Sequence, residues 1–122
     1  MKKVLIIDDD KILLRALSDK FQREGYEVIA AADGNEGLQK ITGVDKPDIV
    51  LLDIVMPVKD GITMLKEMRA MDFVKDIPVI LLTNLSDATN TMQAVQNGVH
   101  DYLIKSDWKI DDVVKVVAER IG

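Results

Sequence analysis

Val4-Leu5-Ile6-Ile7-Asp8-Asp9-Asp10 sets four apolar residues directly against three carboxylates. An unbroken apolar run of this length, bounded by polar residues, marks a strand covered on both faces. The acids that follow fall where such a strand must emerge, and neighbouring negative charges repel unless a positive charge sits among them. Either the loop is merely acidic, or its carboxylates hold a cation. The rest of the chain decides between the two.

Working outward, similar short runs recur at Val28 to Ala31, Ile49 to Leu52, Val79 to Leu82 and Tyr102 to Ile104. Between them the apolar residues take helical spacing: Leu13, Ala16, Leu17 and Phe21 before Gly25, then Leu38 and Ile41 before Gly43, and Ile62, Leu65 and Met68 after Gly61. Ala88, Thr91, Met92 and Val95 before Gly98 predict a fourth helix, and Ile110, Val113, Val114, Val117 and Ile121 a fifth. Strands and helices that alternate strictly, with connections too long for hairpins, imply a parallel sheet with helices on both faces. This is a doubly wound α/β domain of five strands and five helices.

Composition agrees with one ordinary domain spanning residues 1–122. The chain is 48% hydrophobic and 30% charged, with three prolines and seven glycines, and shows no low-complexity run. The formal net charge is −5 and the sixteen basic residues are scattered, so no stripe follows a phosphate backbone. Direct nucleic-acid binding is therefore not expected. With no cysteine there is neither a disulfide framework nor a thiolate metal site. No apolar run is long enough to span a bilayer, and the first ends at Asp8, too early for a secretory signal core. A cytoplasmic protein is expected.

In doubly wound sheets ligands bind outside the carboxyl ends of the strands, where strand order reverses. The residues just past the strands are Asp8, Asp9 and Asp10, then Asp53, Thr83 and Lys105. Four carboxylates, a hydroxyl and an ammonium should meet at one edge. Asp10 is read as the cap of the helix beginning near Lys11.

The pattern resembles the receiver domains of two-component response regulators, the chemotaxis-type phospho-acceptor fold. The resemblance covers essentially the whole chain and rests on the apolar run into Asp8-Asp9, on "LLDIVMPVKDG" around Asp53, on "VILLT" ending at Thr83 and on "YLIK" ending at Lys105. It implies a flavodoxin-like (βα)5 fold with strand order 2-1-3-4-5. Asp53 would be the phosphorylated nucleophile. Asp8, Asp9, Asp53 and the backbone carbonyl of Val55 would hold Mg2+, a hard ion suited to oxygen ligands. Lys105 and Thr83 would engage the phosphoryl oxygens, and Tyr102 would follow Thr83 inward as the switch.

The partners so implied are a histidine kinase or phosphotransfer protein and a downstream effector, with no membrane contact. The responding face would be made by the fourth helix, fifth strand and fifth helix, in a monomer or a phosphorylation-promoted dimer. Such a domain assists its own phosphorylation and dephosphorylation without being an enzyme.

Met56-Pro57 and Asp60-Gly61 fit a rigid turn beside the metal, and His100 reads as a surface residue. Three positions depart from the family pattern. Ser106 follows Lys105 where proline is common, often after a cis bond, and a cis bond to serine would cost ~3 kcal/mol. Either that bond is kept or Lys105 is presented differently. Asn84 stands where a small residue is usual, and Trp108 either staples the last loop to the body or anchors a partner.

These departures keep a rival alive: a pseudo-receiver that binds partners without phosphorylation. The spacing of Asp8 and Asp10 also fits a haloacid-dehalogenase-type phosphatase, but Ile12 is atypical there and no later double-acid motif appears. A flavin or nucleotide site is disfavoured by acids in place of a Gly/Ser/Thr-rich cradle.

Val55 and Leu85, two residues beyond Asp53 and Thr83, are both apolar and leave an attacking water poorly oriented. A long-lived phosphoryl state is expected. Introducing Val55→Asn with Leu85→Glu should accelerate loss of the phosphoryl group in a dephosphorylation time course, and a slower loss would contradict this.

Overall fold

The computed structural model of the chain describes residues 2–42, 46–53, 61–71, 74, 76–83, 92, 96, 101–104 and 109–121. The strands are β1 (Lys3–Ile7), β2 (Glu27–Ala31), β3 (Ile49–Asp53), β4 (Val79–Thr83) and β5 (Asp101–Ile104). Among the described residues the helices are α1 (Lys11–Arg23), α2 (Gly34–Ile41), α3 (Gly61–Arg69) and α4 (Ile110–Ile121). The helix expected over Ser86 to Asn97 lies outside the described residues, apart from Met92 and Gln96. Every other expected element is present, its ends differing by a residue or two.

All strand pairs are parallel, as the alternation of elements implied, and the sheet order is β2-β1-β3-β4-β5, as the family resemblance implied. The continuous apolar runs now have their physical reason. Successive side chains alternate between faces. Leu5, Ile7, Val50, Leu52, Val79 and Leu81 pack on one side with Ile41 of α2 and Ile62, Met64, Leu65 and Met68 of α3. Val4, Ile6, Ile49, Leu51, Ile80 and Leu82 pack on the other with Leu17 and Phe21 of α1 and Val113 and Val117 of α4. Both faces are covered, so neither parity of any central strand can be polar.

Local signals fix where the helices start and stop. Asp10 caps α1, its Oδ1 accepting the amides of Ile12 at 3.1 Å and Leu13 at 3.2 Å. Asp33 caps α2 by accepting the Glu36 amide at 2.8 Å. At the far end of α1 the amide of Tyr26 donates to the Phe21 carbonyl at 3.0 Å and that of Gly25 to Gln22 at 3.1 Å. This pair of bonds reverses the chain through a residue with positive φ, and Gly25 supplies it at φ 92°. The Phe21 and Tyr26 rings, with centroids 5.4 Å apart in edge-to-face contact, seal the turn.

Two further contacts tie elements together. Lys20 of α1 reaches Asp111 of α4 at 3.0 Å and Glu24 at 3.1 Å, and hydrogen bonds to these carboxylates raise its pKa above the usual lysine value. Arg69 donates to the Ile77 carbonyl at 3.0 Å, fastening the chain between α3 and β4. Burial lowers the Arg69 pKa, with Asp76 opposing.

An added Cβ at Gly25 would meet no atom within 4 Å, so its substitution tests the backbone alone. Gly25→Ala should lower stability by about 1–2 kcal/mol, the cost of a left-handed alanine. The expected readout is a lower urea midpoint at unchanged slope.

Candidate functional site

The site is built where β1 and β3 run side by side and end together. Ile7 pairs with Leu52, so the next residues, Asp8 and Asp53, are brought level at the carboxyl edge. Strand order turns here, with β2 on one side of β1 and β3 on the other. A crevice opens at such a point because the flanking connections leave in opposite directions.

Asp8 is fully buried and Asp53 is 6% exposed, whereas Asp9 faces solvent. One ligand oxygen from each of the three lies within 4.8 Å of the others. Like charges that close repel, by roughly 3 kcal/mol for a pair such as Asp8 and Asp53 at an effective dielectric of about 20.

The donor set is all oxygen and all carboxylate, the chemistry of a hard divalent ion. In an octahedron with bonds of 2.0–2.1 Å, opposite ligand oxygens stand ~4.1 Å apart. Only one pair among three such ligands can be opposite and the others stand ~2.9 Å apart, so oxygens within 4.8 Å of one another reach such an ion by shifts of ~1 Å. The residues fit, and the cluster can hold a divalent cation.

Backbone contacts fix Asp8 from two sides. Its amide donates to the Ala31 carbonyl of β2 at 3.1 Å, continuing the ladder one residue past the strand. Its Oδ1 accepts the amide of Asp10 at 2.9 Å. Asp10 thus acts twice, its side chain capping α1 and its amide orienting Asp8. The sequence reading gave Asp10 only the first part. The signal for the second was the spacing itself, since an aspartate side chain readily accepts the backbone amide two residues further on.

Thr83 is the last residue of β4, with its backbone opposite Ile104. Tyr102 lies on β5 opposite Leu81 and is 48% exposed. Val55 and Lys105, together with Asn84, Leu85, His100, Ser106 and Trp108, lie outside the described residues, as does the side chain of Thr83. The structure thus brings together three of the predicted residues, Asp8, Asp9 and Asp53, and places Thr83 and Tyr102 by backbone on the two strands beyond β3.

Comparison with known proteins points in one direction. A model of the response regulator receiver domain family matches residues 4–118. The transcriptional regulatory protein PrrA of Mycobacterium tuberculosis is 39% identical over 103 residues, covering 84% of this chain and 43% of that protein. The alkaline phosphatase synthesis transcriptional regulatory protein PhoP of Bacillus subtilis is 32% identical over 98% of this chain and 49% of its own length. Among solved structures, the Vibrio cholerae chemotaxis protein CheY4 superimposes with a TM-score of 0.89 at 30% identity, covering 100% of this chain and 99% of that one.

The chain spans about half the length of the curated relatives it matches, or somewhat less. One relative, RpaA of Synechocystis, is by name a DNA-binding regulator. The absence of nucleic-acid binding expected from the charge pattern finds no support among these relatives. The scattered charge describes this domain's surface and says nothing of a longer protein. No helix among the described residues is long and apolar enough to cross a membrane.

Saturating the carboxylates with a divalent cation should stabilise the fold. At tenfold excess over its dissociation constant, Mg2+ is expected to add about 1.4 kcal/mol to unfolding. Asp9→Asn should remove most of that gain, measured as the Mg2+-dependent shift of the urea midpoint.

Proposed function

The chain belongs to the response regulator receiver domain family, and from that premise we propose that it is a phospho-acceptor signalling domain. Residues 1–122 form one such domain. A histidine kinase or phosphotransfer protein supplies the phosphoryl group, and Asp53 accepts it. The observation that supports this reading best is the convergence of Asp8, Asp9 and Asp53 at the strand-order reversal, with Asp53, 6% exposed, ending β3 there.

Phosphoryl transfer asks for positioning and charge neutralisation more than covalent chemistry. Asp53 is held by the pairing of β3 with β4, where it lies opposite Leu82, so its carboxylate is presented from a fixed backbone. An oxygen of Asp53 attacks phosphorus as the bond to the donor nitrogen breaks, and the donor histidine, already protonated on its other ring nitrogen, leaves as the neutral imidazole. Bound Mg2+ supplies the positive charge that lets a carboxylate and a phosphoryl group approach. Asp8, Asp9, Asp53 and the Val55 carbonyl would hold that ion. Lys105 neutralises a further phosphoryl oxygen as a point charge, and Thr83 donates its hydroxyl to another.

The placement of Thr83 and Tyr102 on neighbouring strands supports a response of the following kind. Thr83 ends the strand next to β3, and Tyr102 lies one strand further out. Movement of the Thr83 hydroxyl toward the phosphoryl group leaves space for the Tyr102 ring, now half-exposed, to turn inward. This alters the face made by β5, α4 and the connection before β5, where an effector binds. In the longer relatives the matched region is one part of a transcriptional regulator by name, and a regulator of that kind is the effector partner this reading favours.

Incubation with a small-molecule phosphodonor and Mg2+, followed by intact-mass measurement, should add one phosphoryl group. Asp53→Asn should abolish the adduct. An adduct that persists in Asp53→Asn and maps to Asp8 would instead indicate a phosphatase relative, and no adduct with any donor would indicate a pseudo-receiver.

A further inference from the structure

Gly37 lies in α2 with its backbone pressed against Ile7, the residue immediately before Asp8. A Cβ built on Gly37 would stand 2.5 Å from Ile7 Cδ1, 3.0 Å from Cγ1 and 3.4 Å from Cγ2. No side chain fits there unless something moves. Ile7 is fully buried, packed among Leu5, Ala31, Ile41 and Leu52, so its side chain has little room to retreat.

Turning Cδ1 aside would leave Cγ1 at 3.0 Å and press the methyl into a filled core, and the two remaining ways of relieving the contact both lead to Asp8. If Ile7 shifts, it carries the next residue of the chain with it. If α2 shifts outward instead, it carries its cap Asp33 and the short link back to Ala31, whose carbonyl accepts the Asp8 amide. The close approach of α2 to β1 therefore sets the position of a buried carboxylate that neither Gly37 nor Ile7 resembles chemically.

We propose that Gly37 and Ile7 form a size-matched pair that positions Asp8 for cation binding. The inference rests on the reading of Asp8, Asp9 and Asp53 as a divalent-cation site. Gly37 is a positioning residue in this account, acting through Ile7 and the Ala31 carbonyl. A purely structural role for the pair would lower stability and leave cation affinity alone. A positioning role must change affinity in protein that remains folded.

Mg2+ titration followed by backbone amide chemical shifts distinguishes these, run at a temperature where circular dichroism shows each variant folded. Gly37→Ala should weaken Mg2+ binding by about tenfold, the low end of the effect of residues that orient metal ligands. Adding Ile7→Val to that variant removes Cδ1, the atom in closest conflict, and should restore affinity to within about twofold of the parent, as coupled neighbours do. Gly25→Ala, destabilised at the far end of α1, should bind Mg2+ as the parent does.

Unchanged affinity in Gly37→Ala beside a parent that binds Mg2+ would overturn the positioning role alone. Loss in Gly37→Ala without recovery in the double variant would overturn the size match. A parent that binds no Mg2+ would overturn the cation site and this inference with it.

Discussion

The register of β1 against β3 is the constraint on which the site depends. Ile7 stands opposite Leu52, and the residue after each is an aspartate. A slip of one residue would turn every side chain of the strand to the opposite face. Both faces are covered by helices here, so hydrophobicity alone would tolerate such a slip better than it would in a half-exposed sheet. What resists it is shape. Phe21, Leu17 and Val117 fit one face, and Met64, Leu65 and Ile41 the other. Close packing of distinct shapes, rather than a polar and apolar alternation, holds two like charges together at the edge.

Negative charge is concentrated where the fold can offer the least water, and the backbone offsets part of this. The Asp10 amide points at Asp8, and Asp10 in turn caps the helix that leaves the site. One acidic residue thereby starts α1 and orients the carboxylate two positions earlier. The acids of the first loop divide their tasks by burial: Asp8 inside, Asp9 at the solvent boundary, Asp10 on the helix. Asp8 and Asp53 are held by the sheet, Asp8 through its amide bond to Ala31 and Asp53 as the last residue of β3.

Much of the fold was legible because its elements carry their own punctuation. Strands announce themselves by continuous apolar runs, and α1 by a capping aspartate, a helical apolar stripe and a glycine at its end. The segment from Asn35 to Ile41 carried a weaker signal, with two apolar residues in seven. It is a helix because Asp33 caps it and because Ile41 and Leu38 find the core. The packing comes from residues distant in the chain, which local periodicity does not contain.

By itself the sequence determined the alternation of elements, the ends of the strands and therefore which residues could meet at one edge, since these follow from local pattern and the geometry of parallel sheets. It also carried the motifs by which the family is identified. Only the tertiary structure decided that Asp8 is buried while Asp9 is not, and that α2 approaches β1 so closely that Gly37 has no room for a side chain. Those facts depend on distances between segments some thirty residues apart, such as Ile7 and Gly37. Neither spacing nor composition encodes such distances until the core has packed.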